Sequence, residues 1–450
     1  MSFTTDRQTV NDLGIFGRVG GLSVYGVYNR TVTSGGSLIL EDMFRNPMSD
    51  VDKITERSKI IDYFKKYKFS FPFKVELFDI IEFYLKNNDT RTRLVAHEND
   101  IERKFKRAIG SDTDYELIHK GVLAVTEMLC SFKSFIDELS SKDIEPLYLD
   151  QVKEISSILS LDEFSSSLRE KSFKKYPFSK VAGYDQRYRF SHREEIRKLL
   201  NYIYSLDVYI SVARVATEKG FVFAKAMPPG SNELEMEGIF HPLLKNPIAN
   251  SITVDKDSNM IFLTGANMAG KSTFMKSFGI AVYLAHMGFP LPASRVIFTV
   301  QDGMFTTINL ADNINIGYSH FYSEVMRVKK VAETLRGSRH FVVIFDELFR
   351  GTNVKDAYDA TVAVTEAFAA NKSCTFIIST HIIEAGETLS KSCDNINFVY
   401  LPTVMDGDIP RYTYQLARGI TSDRHGMVII RNEGILDILD KCTGGSADEI

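Results

Sequence analysis

The stretch Gly265-Ala-Asn-Met-Ala-Gly-Lys-Ser272 decides the fold of the second half of this chain. It satisfies the pattern G-x-x-x-x-G-K-[ST], in which glycines let backbone N–H groups curl around phosphates. The apolar run Ile261–Thr264 precedes it as an expected strand, and an expected helix begins at Ser272, adding the positive end of its dipole. Lys271 is expected to reach the β- and γ-phosphates, and the Ser272 hydroxyl is expected to bind Mg²⁺. The predicted nucleotide-binding residues of this loop are Gly265, Ala266, Asn267, Met268, Ala269, Gly270, Lys271, Ser272 and Thr273.

Two later strand ends carry polar side chains that suit the same chemistry. The apolar run Phe341–Phe345 ends in Asp346 and Glu347. Asp346 is predicted to complete the Mg²⁺ shell, and Glu347 to polarise a water that attacks the γ-phosphate. A further buried run ends in Thr380-His381, and a histidine there can hold the γ-phosphate or the attacking water. The simpler alternatives are a strand that ends on solvated acids and a histidine with a structural role.

The two halves of the chain have different patterns. Short apolar runs alternate with helical stretches after residue 231, which predicts a covered, largely parallel α/β sheet. Earlier residues have mostly helical periodicity, and the longest such segment is His192–Gly220. The break Met227-Pro-Pro-Gly-Ser231 is the expected boundary, giving a mostly helical domain over 1–230 and a P-loop domain over 231–450.

Composition excludes several classes of protein. The 450 residues carry a formal net charge of -4, with 44% hydrophobic and 25% charged residues, which is ordinary for a globular protein. No apolar stretch approaches the roughly 18 residues of a membrane span, and the N-terminus has no signal pattern. The four cysteines are far apart and have no metal-ligand spacing. Reduced thiols in a cytoplasmic protein are therefore expected.

Basic residues are concentrated within the helical half. The segment Arg169–Lys198 holds ten basic residues against four acidic ones, with aromatic residues interleaved among them. A solvated helix face and loop would explain this segment. The alternative is a surface that contacts the phosphate backbone of DNA.

The motifs resemble those of the MutS family. Thr264–Thr273 resembles its P-loop, where Asn-Met after the first glycine is unusual among P-loops, and Asp346–Thr352 resembles its Walker B motif and D-loop. Ser379–His381 resembles its H-loop. Ile314–Glu324 resembles its signature segment, and residues 29–57 resemble the opening of its core, or lever, domain. Pro247-Ile-Ala-Asn250 resembles the stretch near the adenine, which adds Ile248 and Asn250 to the expected nucleotide site.

The resemblance implies an ABC-type ATPase that uses ATP and Mg²⁺, preceded by an all-α core/lever domain. It also implies a homodimer in which Ser319 approaches the ATP held by the other subunit, and DNA engagement by the levers. We expect a short form without the family's mismatch-reader domain, because the core-like motif already starts near Gly21. Three residues depart from the family pattern: Pro247 replaces an aromatic at the adenine, Phe349 a D-loop glycine, and His320 a threonine of the signature.

Three functions remain open at this point. The leading hypothesis is a MutS-like ATPase whose nucleotide-driven dimerisation controls DNA contact through Arg169–Lys198 and the levers, in mismatch repair or a related repair or recombination role. The alternative is a nucleotide-switched protein-interaction ATPase that does not bind DNA. A metabolic P-loop kinase is disfavoured, because Ser319–Glu324 and His381 fit an ATP site shared by two subunits.

Overall fold

A computed structural model describes residues 3–17, 21–87, 89–94, 112–230, 232–308, 320–337, 339–407, 409–421, 434–435 and 438–439. Within these residues the chain forms two compact units. One unit contains residues 1–28, 44–58 and 216–450 and is called the sheet unit here. The other contains residues 29–43 and 59–215 and is called the helical unit.

The helices and strands are numbered in chain order. The α-helices are α1 Arg7–Asp12, α2 Val24–Tyr28, α3 Ser34–Arg45, α4 Val51–Tyr67, α5 Glu76–Lys86, α6 Asp112–Ser140, α7 Leu149–Leu159, α8 Asp162–Ser165, α9 Phe178–Asp185, α10 Arg193–Lys219, α11 Lys271–His286, α12 His320–Thr334, α13 Val354–Ala369 and α14 Ile383–Ser392. The strands are β1 Lys225–Met227, β2 Leu234–Ile239, β3 Asn250–Val254, β4 Met260–Gly265, β5 Arg295–Thr299, β6 Gly303–Thr307, β7 Phe341–Phe345, β8 Thr375–Ser379, β9 Ile396–Leu401, β10 Thr403–Asp406, β11 Ile409–Tyr412 and β12 Ala417–Arg418.

The sheet unit is built on a six-stranded sheet with the order β12-β9-β4-β8-β7-β6. Neighbouring strands from β9 to β6 are parallel, and β12 pairs antiparallel with β9 at one edge. All residues of β4, β7 and β8 are buried, as their near-continuous apolar runs require in a sheet covered on both faces. The predicted α/β architecture is therefore present. The parallel pairing brings the carboxyl ends of β4, β6, β7 and β8 to one edge.

A second sheet in the same unit has the order β1-β5-β2-β3 and is mixed. β1 pairs in parallel with β5, whereas β2 pairs antiparallel with both β5 and β3. Residues 225–254 thus return to pair with a strand that follows α11 in the sequence. These short strands lie outside the strand runs that the sequence predicts.

The N-terminal segment packs on the exposed edge of the six-stranded sheet. Thr4 forms a parallel bridge with Gly303, and Thr9 Oγ1 accepts the Thr306 N–H at 3.0 Å. The buried carboxylate of Asp12 accepts the Thr306 hydroxyl and the Ile308 N–H, both at 2.8 Å from Oδ2. Residues 3–12 therefore cover a strand edge that would otherwise offer unpaired backbone groups.

The helical unit has a core rich in aromatic side chains. α5 and α6 approach closely at Gly121, where a Cβ atom would lie only 2.2 Å from Cγ of Tyr84. The missing side chain of Gly121 makes room for the Tyr84 ring. On α10, buried Asp207 accepts the N–H groups of Val32 and Thr33. These bonds satisfy amides that precede α3, where helix starts leave donors without an intrahelical partner. Burial raises the pKa of Asp207. The residues that resemble the opening of the lever domain thus form a capped helix start.

The division of the chain differs from a boundary near residue 230. Residues 3–28, 44–58 and 216–230 pack within the sheet unit, and the limits of the two units fall inside α3, α4 and α10. Tyr28 donates its hydroxyl to the carbonyl of Pro290 at 2.5 Å, and Tyr283 donates to the carbonyl of Phe44 at 2.6 Å. Such long-range contacts are invisible to a boundary placed by composition.

Candidate functional site

The P-loop joins β4 to α11, as the sequence predicts. Gly265 and Gly270 have φ angles of 145° and 101°, and Met268 between them has φ of 71°, a combination that two glycines make possible. Ala269 is buried, whereas Asn267 and Met268 at the tip are exposed. Lys271 begins α11 and donates from Nζ to the carbonyls of Gly265 at 2.9 Å and Ala266 at 3.3 Å.

Asp346 meets the P-loop serine at the end of β7. The Ser272 hydroxyl donates to Asp346 Oδ2 at 2.6 Å, and the Ser379 hydroxyl at the end of β8 donates to Oδ1. The backbone N–H of Asp346 donates to the carbonyl of Thr307 at 2.9 Å. Three parallel strands and the first turn of α11 thus converge on one carboxylate. Burial lowers the pKa of Lys271, and the charges of Glu347 and Asp346 oppose that shift.

Glu347 is held by the histidine of the next strand end. His381 Nε2 lies 2.6 Å from Glu347 Oε1, and Arg350 lies 3.5 Å from Oε2. The hydrogen bond from His381, with the charges of His381, Lys271 and Arg350, outweighs burial and lowers the pKa of Glu347 to about 2. Glu347 has φ of 53°, and its N–H donates to the Ser379 carbonyl at 3.0 Å. The geometry gives an ionised carboxylate next to the Ser272–Asp346 pair.

A pocket of about 150 Å³ opens beside this carboxylate. It is lined by Ser272, Thr307, Ile308, Glu324, Val328, Phe345, Asp346, Glu347, Leu348 and Arg350. Arg327 on α12 holds the end of β6 beside this pocket. It donates to the Thr306 carbonyl at 2.7 Å and to Oγ1 of the lining residue Thr307 at 3.1 Å. Arg327 also pairs with Asp6 of the N-terminal segment. The sequence motifs do not reveal the Arg327–Asp6 pair, because the two residues lie 321 positions apart.

A second pocket, of about 300 Å³, lies on the other side of the P-loop and is called the base-side pocket here. Its lining combines the stretch before β3, the first turns of α11 and one tyrosine: Ile239, His241, Leu244, Asn246, Pro247, Ile248, Asn250, Gly270, Thr273, Phe274, Ser277 and Tyr414. Asn250 fixes the tyrosine segment, since its Nδ2 donates to the Tyr414 carbonyl at 2.9 Å and its Oδ1 accepts the Leu416 N–H at 2.7 Å. Ile248 and Asn250 thus line the same pocket as the P-loop residues Gly270 and Thr273.

Tyr414 is a lining residue that the sequence motifs do not reveal. Its ring approaches the P-loop so closely that a Cβ atom on Gly270 would lie 3.0 Å from Tyr414 Cδ1. Its φ of 55° is unusual for tyrosine, and its side chain is 46% exposed. The pocket therefore has an accessible aromatic face even though Pro247 replaces the family's aromatic. Ser319, the predicted signature serine, lies outside the described residues.

The basic segment Arg169–Lys198 differs from the expected DNA surface. Arg189, in the π-helical turn Gln186–Ser191, is 1% exposed and pairs with buried Asp185. Arg187 donates to Ser166 Oγ at 2.7 Å, and Arg193 donates to the Leu85 carbonyl. The prediction that Arg169–Lys198 contacts DNA is therefore corrected at Arg189, which is buried. Arg187 is half-buried, and its guanidinium is bonded within the helical unit. The basic side chains that remain exposed in this segment are Arg169, Lys171, Lys174, Lys175, Arg197 and Lys198.

The parallel sheet, the P-loop and the carboxylate pair at the end of β7 define a P-loop nucleotide-binding domain. Residues 261–442 match the family described as MutS domain V. The chain is 30% identical over 241 residues to DNA mismatch repair protein spellchecker 1 of Drosophila melanogaster, covering 52% of this chain and 26% of that protein. It is 29% identical to the DNA mismatch repair protein MutS of Fusobacterium nucleatum, covering 54% and 27%. It is also 29% identical to mouse MutS protein homolog 4, covering 52% and 25%.

Residues 261–442 therefore carry a MutS domain V, the P-loop ATPase domain of that family, and the relatives named above are MutS proteins. The chain spans about a quarter of the length of these three relatives. Among the described residues, no helix is both long enough and apolar enough to span a bilayer.

Proposed function

We propose that this chain is a MutS-type ATPase that binds and hydrolyses ATP in the sheet unit and thereby controls contact of the helical unit with DNA, in mismatch repair or a related repair or recombination process. The observation that carries the proposal is the 2.6 Å contact between Ser272 Oγ and Asp346 Oδ2. It brings the P-loop hydroxyl and the carboxylate of the neighbouring β7 motif to one point. These are the two protein groups that P-loop ATPases use around Mg²⁺.

The donor set at this point fits Mg²⁺. The Ser272 hydroxyl and the Asp346 carboxylate are hard oxygen ligands, and Mg²⁺ prefers one or two such ligands completed by water and phosphate. When bound, the ion would neutralise charge that develops on the phosphates. Lys271 supplies a point charge from the P-loop, and the backbone N–H groups of the loop and the first turn of α11 supply neutral donors.

Glu347 and His381 are the candidates for handling the attacking water. The low pKa of Glu347 keeps its carboxylate ionised at neutral pH, so it can accept a hydrogen bond from water and orient it toward the γ-phosphate. His381 holds that carboxylate through the Nε2 contact. In this proposal Glu347 acts on the water and His381 positions Glu347.

The base-side pocket is the proposed adenine site. Its volume and mixed apolar lining suit a planar base. The exposed ring of Tyr414 can stack on that base, while Ile248 and Phe274 supply apolar contacts. Asn250 organises the pocket by holding the Tyr414 segment.

Two substitutions test the ATPase proposal. Lys271→Ala removes the charged donor of the P-loop and should raise the Kd for ATP by about a hundredfold, in line with about 1.5–3 kcal/mol for each charged hydrogen bond. Glu347→Gln should bind Mg-ATP within about threefold of wild type yet lose turnover by two orders of magnitude or more. Glu387→Gln, an exposed glutamate on α14, is the matched control. Wild-type turnover in Glu347→Gln would remove this residue from the proposed role.

Hydrolysis is proposed to need a homodimer, because the family resemblance places Ser319 against the nucleotide of the other subunit. An excess of Lys271→Ala subunits added to Ser319→Ala subunits should form heterodimers with one intact composite site and restore part of the activity. Sedimentation in ATP should show the dimer. A protein that stays monomeric in ATP, with an ATPase rate per subunit that does not change with protein concentration, would refute this assembly.

DNA is proposed to bind through exposed lysines of the helical unit. Substituting glutamine for Lys171, Lys174 and Lys175 should lower the slope of log K against log salt by up to about three, since each lost phosphate contact lowers it by about one. Control substitutions at three exposed lysines of the sheet unit, Lys245, Lys256 and Lys391, should leave the slope unchanged. The panel contains homoduplex, mismatched, branched and single-stranded DNA.

The alternative is a nucleotide-switched ATPase whose partner is a protein. The internal pairing of Arg189, Arg187 and Arg193 favours it, because these arginines are engaged within the helical unit. Absence of binding to every DNA form at low salt, with ATPase activity intact, would select this alternative.

A further inference from the structure

The turn that follows β7 has a backbone that is unusual for its sequence. Glu347 and Phe349 are two non-glycine residues with positive φ, 53° and 62°, within three positions. Such a conformation is unfavourable for an L-residue, because it brings Cβ too close to the following carbonyl oxygen. A glycine at position 349 would avoid that cost, so the large side chain must be offset by something else.

This turn contributes side chains to both the pocket and the core. Asp346, Glu347 and Leu348 line the pocket, and the side chains of Leu348 and Phe349 are buried, at 5% and 3% exposed. Leu348 and Phe349 belong to the apolar cluster beneath β7 and β8. Burial of the Phe349 ring stabilises the fold and offsets the cost of its backbone conformation.

The Phe349 ring also contacts the first turn of α12. Its centroid lies 6.0 Å from that of Phe321 in an edge-to-face arrangement, a geometry that aromatic pairs favour. One turn further along, α12 carries Glu324, which lines the pocket, and Arg327, which supports Thr306 and Thr307. The two rings therefore connect the helix that borders the pocket to the turn that carries Glu347.

We propose that Phe349 is a positioning residue whose buried ring, packed on Phe321, fixes the turn of Glu347 against α12. The ring holds the backbone at position 349, whereas a glycine there would leave this backbone free to move. The N–H of Glu347, two positions earlier, then keeps its hydrogen bond to the Ser379 carbonyl. Because Phe321 lies on α12, a displacement of α12 would also move the turn that carries Glu347. This inference rests on the proposed ATPase function for its catalytic consequence only.

The test compares Phe349→Gly with a control of equal burial. Phe341 belongs to the same apolar cluster but lies at the opposite end of β7. Phe349→Gly removes the ring and the strain together, Phe349→Leu keeps apolar burial without the ring edge, and Phe341→Leu lowers core packing away from the turn. Phe321→Leu removes the partner ring.

Two measurements are made on each variant of the full chain. Hydrogen exchange of peptides spanning residues 346–350, without nucleotide, should rise about tenfold in Phe349→Gly and less in Phe349→Leu, while P-loop peptides stay unchanged. Steady-state ATPase should show kcat lowered about tenfold in Phe349→Gly with the Kd for ATP within about threefold, because only the water-orienting group is misplaced. Adding Phe321→Leu to Phe349→Gly should cause little further loss, since the contact is already broken.

The outcomes separate this inference from the proposed function. Exchange and kcat in Phe349→Gly that match those of Phe341→Leu would overturn the positioning role and leave the ATPase proposal standing. An inactive wild-type protein would overturn the ATPase proposal, and the exchange comparison would then decide alone whether Phe349 fixes the turn.

Discussion

Replacing Asp12 by alanine should open the edge of the sheet at β6. The carboxylate is 3% exposed and accepts the Ile308 N–H and the Thr306 hydroxyl, and its other oxygen accepts Gln8 Nε2 at 2.9 Å. A buried hydrogen bond to a charged group contributes about 1.5–3 kcal/mol, and an orphaned buried donor keeps its desolvation cost. Loss of the two bonds to β6 should therefore cost roughly 3–5 kcal/mol. Asp12→Asn keeps one oxygen and should cost about 1 kcal/mol.

Hydrogen exchange reports this loss at the affected amide. A local change of roughly 3–5 kcal/mol corresponds to exchange of the Ile308 amide faster by about two to four orders of magnitude. Peptides covering residues 303–308 should show it in Asp12→Ala and much less in Asp12→Asn. The control is Asp62→Ala, an exposed position on α4, which should change stability by less than about 0.5 kcal/mol. Exchange in Asp12→Ala within threefold of wild type would refute the assigned role.

Three further outcomes are expected. Burial lowers the pKa of His286 to about 4, whereas the unfolded histidine titrates near 6.5; unfolding measurements should therefore show stability that is complete above about pH 6.5 and falls by roughly 3 kcal/mol toward pH 4, with a flatter profile in His286→Gln. Arg189→Gln strands the buried carboxylate of Asp185 and should destabilise the helical unit by about 3–5 kcal/mol in thermal unfolding. Tyr414→Ala should raise the Kd for ATP by about tenfold in direct binding, as loss of a base–aromatic stack predicts, with Tyr414→Phe near wild type.

The buried strands of the nucleotide site were predictable because their sequences allow few alternatives. The run Phe341–Phe345 is strand β7 with the expected limits, and the buried run expected before Thr380-His381 is strand β8. Each is a short apolar run bounded by polar residues, which fits a strand covered on both faces. The chemistry followed from the same pattern, since parallel strands present their carboxyl ends, and therefore Asp346 and His381, at one edge.

The features that sequence reasoning missed depend on contacts between distant residues. From the sequence, Arg189 looks like a solvated cation in a basic segment. Counting charges cannot show that it is buried and paired with Asp185, four positions earlier. Tyr414 belongs to none of the sequence motifs. It lies beside the P-loop because the strands β9 to β11 bring this part of the chain there. In the four-stranded sheet β1 pairs with β5, which follows α11 in the sequence, so the strand order cannot be obtained from periodicity.

The packing of residues 3–12 on β6 has a consequence for the order of folding during synthesis. Thr9 and Thr306 are 297 positions apart, and a ribosome adding about 5–20 residues per second needs roughly 15–60 s to cover that interval. The first residues made in this unit must therefore wait, unpaired, until the whole helical unit and residues 216–306 of the sheet unit have been synthesised. Closure of so long a loop makes folding slow relative to locally connected helices. The sheet unit should consequently be the last part of the nascent chain to become protected from proteases, and the part that depends most on chaperones.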